Sequence, residues 1–143
     1  MSLAGFQRAL VDLIASPALC RSLLTSEEDA AAVLDAYALT GRERRRLTGI
    51  VGQRGMAANC AFHRANRLGP LRAFLPRTCA LLGAGLRAEL DAYWERHPAR
   101  DLQFRREVET FAGFLLERCA TGEVAIPALP EVLAAELQAS GIA

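Results

Sequence analysis

The stretch TGRERRRLTGIV, residues 40–51, decides how this chain reads. Thr40 and Glu43 stand three apart, the spacing of a capping box. In that motif the hydroxyl accepts the N–H three residues on, and the carboxylate reaches back to the cap's own N–H. Beyond the box, Leu47, Ile50 and Val51 fall on one side at helical spacing, while Arg42, Arg44, Arg45 and Arg46 fall mainly on the other. The stretch is an amphipathic helix with its own start signal, closed by the glycines of Gly52 to Gly55.

The same grammar extends in both directions. Toward the N-terminus, Leu3, Phe6, Leu10, Leu13 and Ile14 form an apolar stripe. Ser16-Pro17 is a cap with Pro at the first helical position. Ser26 precedes Glu27, Glu28 and Asp29, acids placed where the helix dipole favours them, and opens a helix expected to reach about Tyr37. Toward the C-terminus, a helix is expected over Met56 to Leu68, a restart at Gly69-Pro70 and a further break near Pro76. Leu86, Leu90, Tyr93 and Trp94 make the next stripe, ended by His97-Pro98. Leu102 through Cys119 is expected to be the longest helix, with Phe104, Val108, Phe111, Phe114 and Leu115 on one face. Pro130 opens a last short helix carrying Val132, Leu133 and Leu137. β-branched residues are sparse and never alternate, so the fold class is all-α: a single compact domain over 1–143, of seven or eight helices.

Length and composition set the outer bounds. A chain of 143 residues with 52% hydrophobic content can build a real core, which excludes disorder. No run of 18 apolar residues offers a transmembrane helix. Arg8 and Asp12 interrupt the apolar start, so no secretory signal is expected and the chain reads as cytoplasmic. Cys20, Cys60, Cys79 and Cys119 form no C-x-x-C pair and read as buried thiols.

The net charge of +1 conceals a segregation. All 17 basic residues are Arg. Residues 42–77 hold nine of them against Glu43 alone, a net of +8, while the flanking segments are acidic. Like charges this dense repel one another, and an anionic partner relieves the repulsion. Every one of these cations is a planar fork able to grip a carboxylate or phosphate through two N–H groups.

Catalytic motifs are absent. There is no G-x-S-x-G, H-E-x-x-H, phosphate loop or dinucleotide fingerprint. Glu107 and Glu109, two apart on a helix, do not share a face. Cys60 and His63 share one, but two ligands are not a structural zinc site, and no metal or cofactor is expected. Residues 41–68 also read as helix, turn, helix, with Asn59, His63, Arg64, Asn66 and Arg67 on the second helix. A DNA-binding regulator is therefore one alternative. The pI of 7.7 lies below the basic values of dedicated DNA binders, which makes nucleic acid the weaker partner reading.

From residue 64 onward a set of short motifs follows one order: Arg64-x-Asn66-Arg67, Leu75-Pro76, Leu81-Leu82-Gly83, Tyr93-x-x-x-His97-Pro98, Phe111-x-x-Phe114-Leu115, and Leu129 to Glu136. This order resembles helical partner proteins of multinuclear-iron peptide-modifying enzymes, the methanobactin-cassette C protein among them. That group first carried the label of a DNA-binding domain, on sequence grounds. The Phe6-Gln7-Arg8 start is similar to the family's opening helix. Residues 61–140 are family-like and residues 1–60 match poorly. The resemblance implies a mostly helical protein that pairs with a barrel-shaped iron oxygenase and helps present a ribosomally made precursor peptide to it. The extra C-terminal domain of longer members is not expected here. That departure leaves room for a second alternative, a small autonomous peptide-tailoring enzyme whose substrate supplies a catalytic group.

The leading expectation is an accessory protein in ribosomal peptide natural-product biosynthesis, a non-catalytic partner subunit rather than an enzyme. Its partners would be an acidic precursor peptide and an iron-dependent modifying enzyme, with no membrane and with room for a homodimer. On the family-like positions Arg64, Asn66 and Arg67 are the expected peptide-binding residues. Arg72 and Arg77 extend the same cationic stretch, each binding carboxylates through charge-assisted hydrogen bonds.

Overall fold

The computed structural model describes residues 3–98 and 103–142. Among these the fold is all-α, with no strand. In chain order the helices are α1 (Leu3–Ala15), α2 (Pro17–Thr25), α3 (Glu27–Leu34), α4 (Gly41–Val51), α5 (Arg54–Phe74), α6 (Pro76–Leu82), α7 (Leu86–Arg96), α8 (Phe104–Ala120) and α9 (Leu129–Ala139). A 3-10 turn over Gly83–Gly85 joins α6 to α7, and Gly83 adopts φ +51°, a left-handed conformation that glycine tolerates. No single described helix is long and apolar enough to cross a membrane. The chain falls into two units, Met1–Arg64 and Ala65–Ala143, each with its own hydrophobic cluster.

In the first unit the start signals act as expected. The Ser16 hydroxyl accepts the Leu19 N–H at 3.3 Å, and Ser26 accepts that of Asp29 at 3.0 Å. Both halves of the Thr40–Glu43 box are made: the Glu43 carboxylate accepts the Thr40 N–H at 2.8 Å, and the Thr40 hydroxyl accepts the Glu43 N–H at 3.3 Å. Those hydrogen bonds hold the Glu43 carboxyl below the usual glutamate range. Leu13, Leu23, Leu34, Leu47, Val51 and Met56 build the core, with Ala9 beneath them. Leu3, at the exposed first turn of α1, lies outside it at 68% exposure. α3 ends at Leu34, three residues short of Tyr37. The Tyr37 hydroxyl instead donates to Asp12 on α1 at 2.8 Å, tying the α3–α4 connection down.

In the second unit the helix boundaries depart from expectation at Gly69-Pro70, while the break expected near Pro76 is present. α5 runs straight through Gly69-Pro70. Pro70 supplies no N–H to the carbonyl of Asn66, a deficit of about 3 kcal/mol in a helix interior. Leu68, Leu71 and Phe74 all pack on the same cluster, and only an unbroken helix keeps them on one face. Pro76 is the residue that ends α5: Leu75 before it takes φ −125°, ψ 49°, outside the helical region that a following proline disfavours. α5, at 21 residues, therefore exceeds α8, at 17. The expected start of α8 at Leu102 lies outside the described residues. Phe104, expected on its buried face, is exposed in the first turn, whereas Val108, Phe111, Phe114 and Leu115 are buried.

Pro76 at the head of α6 leaves the Arg77 and Thr78 N–H groups without partners in their own helix. Glu136 on α9 fills the gap. Its carboxylate accepts the Arg77 N–H at 2.7 Å, the Thr78 N–H at 2.9 Å and the Thr78 hydroxyl at 2.7 Å, with Glu136 only 8% exposed. A helix N-terminus attracts negative charge, so a buried carboxylate is well suited to this place.

Candidate peptide-binding surface

The five expected peptide-binding residues do not form one site. Arg67, expected at the surface, is buried. It is 8% exposed, its Nε donates to the Glu107 carboxylate at 2.8 Å, and its Nη2 donates to the His97 carbonyl at 2.9 Å. The guanidinium also lies over the Tyr93 and Trp94 rings, 5.4 and 5.9 Å from their centroids. An arginine so enclosed holds its own fold together and is not presented to a peptide. The same burial removes it as a base-reading residue. Glu107, buried beside it, pushes the Tyr93 phenol pKa up together with burial itself, burial being the larger cause.

Of the other four, Arg64 is half-buried, while Asn66, Arg72 and Arg77 are exposed. Asn66 and Arg72 are six apart on α5, about 240° around the helix, and so face different ways. Arg77 borders a shallow hollow of about 310 Å³ with Ala80, Leu81 and Val132.

A larger concavity lies in the first unit. A groove of about 660 Å³ runs between α2, α3 and α4. Leu24, Ala30 and Ala31 give it an apolar surface over the buried Leu23 and Leu34. Arg44 and Arg45 line it from α4, and Glu27 lines it from the start of α3. Leu24 is 55% exposed, although it is one of the larger apolar side chains of the unit. Arg44 is anchored by Asp35 at 2.6 Å. Arg45 is exposed and makes no ion pair among the described residues. Gly49 faces the same groove, and a Cβ built on it would meet no heavy atom within 4 Å.

The cationic segment as a whole divides. Arg44 pairs with Asp35, Arg67 pairs with Glu107, and Arg46 sits over the Phe6 ring at 5.8 Å. Arg42, Arg45, Arg54, Arg72 and Arg77 are exposed, with no side-chain ion pair among the described residues. The groove itself has no sequence signature. Arg44 and Arg45 are visible as part of a cluster, but the apolar half comes from α2 and α3, and no local pattern joins the three.

Three of the four thiols are shifted away from their reactive form. The Cys20 thiol donates to the Leu13 carbonyl at 3.1 Å, and burial together with the neighbouring Cys60 pushes its pKa up to about 12. Burial also raises Cys79 and Cys119, with Glu136 and Glu89 adding to it respectively. At neutral pH these three stay protonated, and the thiol is not the reactive form. Cys60, one turn from His63 along α5, is buried with its thiol toward the Leu13 carbonyl at 3.8 Å. No three His, Cys, Asp or Glu side chains converge among the described residues.

What fold and surface define together is an all-α protein with an apolar, arginine-rimmed groove. No known protein family, curated protein or solved structure matches the chain.

Proposed function

We propose that this protein is a helical accessory protein that binds an acidic segment of another polypeptide: the precursor of a ribosomal peptide natural product, or the enzyme that modifies it. The observation that carries this reading is the set of six exposed arginines between residues 42 and 77, Arg46 on the Phe6 ring among them, that have no ion pair among the described residues. A segment of net charge +8 that is neutralised only in part within the fold favours an anionic partner. Carboxylates suit these guanidiniums because each can accept two parallel N–H bonds. The apolar groove beside Arg45 favours a polypeptide over a bare polyanion, since a phosphate backbone has nothing to place against Leu24. The link to ribosomal peptides comes from the ordered motifs between Arg64 and Glu136.

Titrations of the full chain with fluorescent acidic peptides and with a random-sequence DNA duplex test the reading. Peptide binding that weakens as salt is raised, and that the duplex does not displace, is the expected result. Tight duplex binding with a steep salt slope, and none to peptides, would replace it with the nucleic-acid reading. A short precursor gene beside an iron-oxygenase gene would support the biosynthetic setting.

A further inference from the structure

Peptide binding by itself leaves open where the partner docks and in what conformation. We infer that the groove between α2, α3 and α4 receives an amphipathic α-helix of the partner, with apolar side chains seated on Leu24, Ala30 and Ala31 and a carboxylate held by Arg45. This inference rests on the reading of the protein as a peptide binder.

Three observations converge on a helix with an acidic edge. First, the described residues contain no strand, so a partner has no sheet edge to extend; a trough between packed helices is the form that accepts an amphipathic helix. Second, the groove is apolar along one side and open at Gly49, where a Cβ would touch nothing. Leu24 stands 55% exposed at its edge, an apolar side chain without cover. Third, the charges are sided. Arg45 is exposed and without an ion pair among the described residues on the α4 wall, next to an Arg44 already neutralised by Asp35. Glu27 stands on the α3 wall. An acid on the incoming helix is attracted to the first wall and repelled by the second, which fixes the helix's rotation as well as its charge.

Gly49 makes the test clean. Gly49→Leu directs a side chain into the groove from a position where its Cβ meets no heavy atom within 4 Å, and it replaces a helix-interior glycine with a better helix former. The variant should fold at least as stably as the parent, which melting by circular dichroism checks. Gly113→Leu on α8 is the matched control: it too is exposed, and a Cβ there would also meet nothing within 4 Å. Arg45→Glu reverses the charge on the α4 wall without touching the core.

Three synthetic probes of about 15 residues, long enough to sustain a helix, are titrated against the full chain by fluorescence anisotropy. One carries leucines at i, i+3, i+4 and i+7 with glutamates alongside. The second has the same pattern with lysines for glutamates. The third has the first peptide's composition in scrambled order. The expected result is binding of the first in preference to the other two, weakened about tenfold or more by Gly49→Leu and by Arg45→Glu, and unaltered by Gly113→Leu. Equal binding of the first and scrambled peptides, or an affinity indifferent to both groove variants, overturns the groove while leaving peptide binding standing. Absence of binding by all three overturns the peptide reading itself.

Discussion

Arg67 shows how a single residue can be misread when its partner is distant. In sequence it belongs to a run of cations with no acid within reach, and the natural expectation is a surface guanidinium. Its counter-charge, Glu107, lies 40 residues further on and comes within reach only in the folded second unit. Periodicity does contain one hint: Glu107 and Glu109 cannot face the same way, and Glu107 is the one that is buried. The pair makes a definite expectation. Arg67→Met leaves the Glu107 carboxylate buried without its cation and should lower stability by about 3–5 kcal/mol, whereas Arg67→Met combined with Glu107→Leu should recover most of that loss. Urea denaturation of the three proteins checks it. A single variant as stable as the parent would return Arg67 to the surface, and with it the expectation that it binds peptide.

Elements are legible wherever their signals are local. The Thr40–Glu43 box, the Ser16-Pro17 and Ser26 caps, and the stop before His97-Pro98 all lie within four residues of the boundary they set, and the structure places boundaries there. Two boundaries are decided by tertiary contacts instead. Pro70 is carried through α5 because Leu68, Leu71 and Phe74 share one cluster. α6 can begin at Pro76 because Glu136, 58 residues beyond Thr78, caps its first turn. Glu136→Ala should therefore act at a distance. It strands two N–H groups and a buried hydroxyl at the head of α6, and it should cost about 3 kcal/mol of stability. Glu136→Gln, which keeps an acceptor oxygen without the charge, should cost about half as much. Thermal melts of both variants provide the comparison. An equal loss from the two would mean that the packing of the side chain, rather than its acceptor oxygens, holds α6 in place.

For the whole molecule, the segregation of charge is plain in the sequence, and so is the all-helical class. The assignment of helices to clusters is not, because Leu13 and Leu133 look alike in a periodic pattern although they belong to different units. The four cysteines sample that division. Cys20 and Cys60 lie in the first cluster, Cys79 lies in the second, and Cys119 is half-buried against the second. Burial keeps the Cys20, Cys79 and Cys119 thiols protonated, so in the native state a thiol reagent should modify Cys119 first and the others only when their unit opens. Leu13→Ala removes a wholly buried side chain of the first cluster, at a cost of about 3 kcal/mol. It should accelerate labelling of Cys20 and Cys60 more than that of Cys79. Leu133→Ala, equally buried in the second cluster, should do the reverse. Peptide mapping of the labelled sites resolves the order. If either substitution sped up all three buried thiols equally, the two clusters would open as one cooperative body, and the helix that belongs to both, α5, would be the element that couples them.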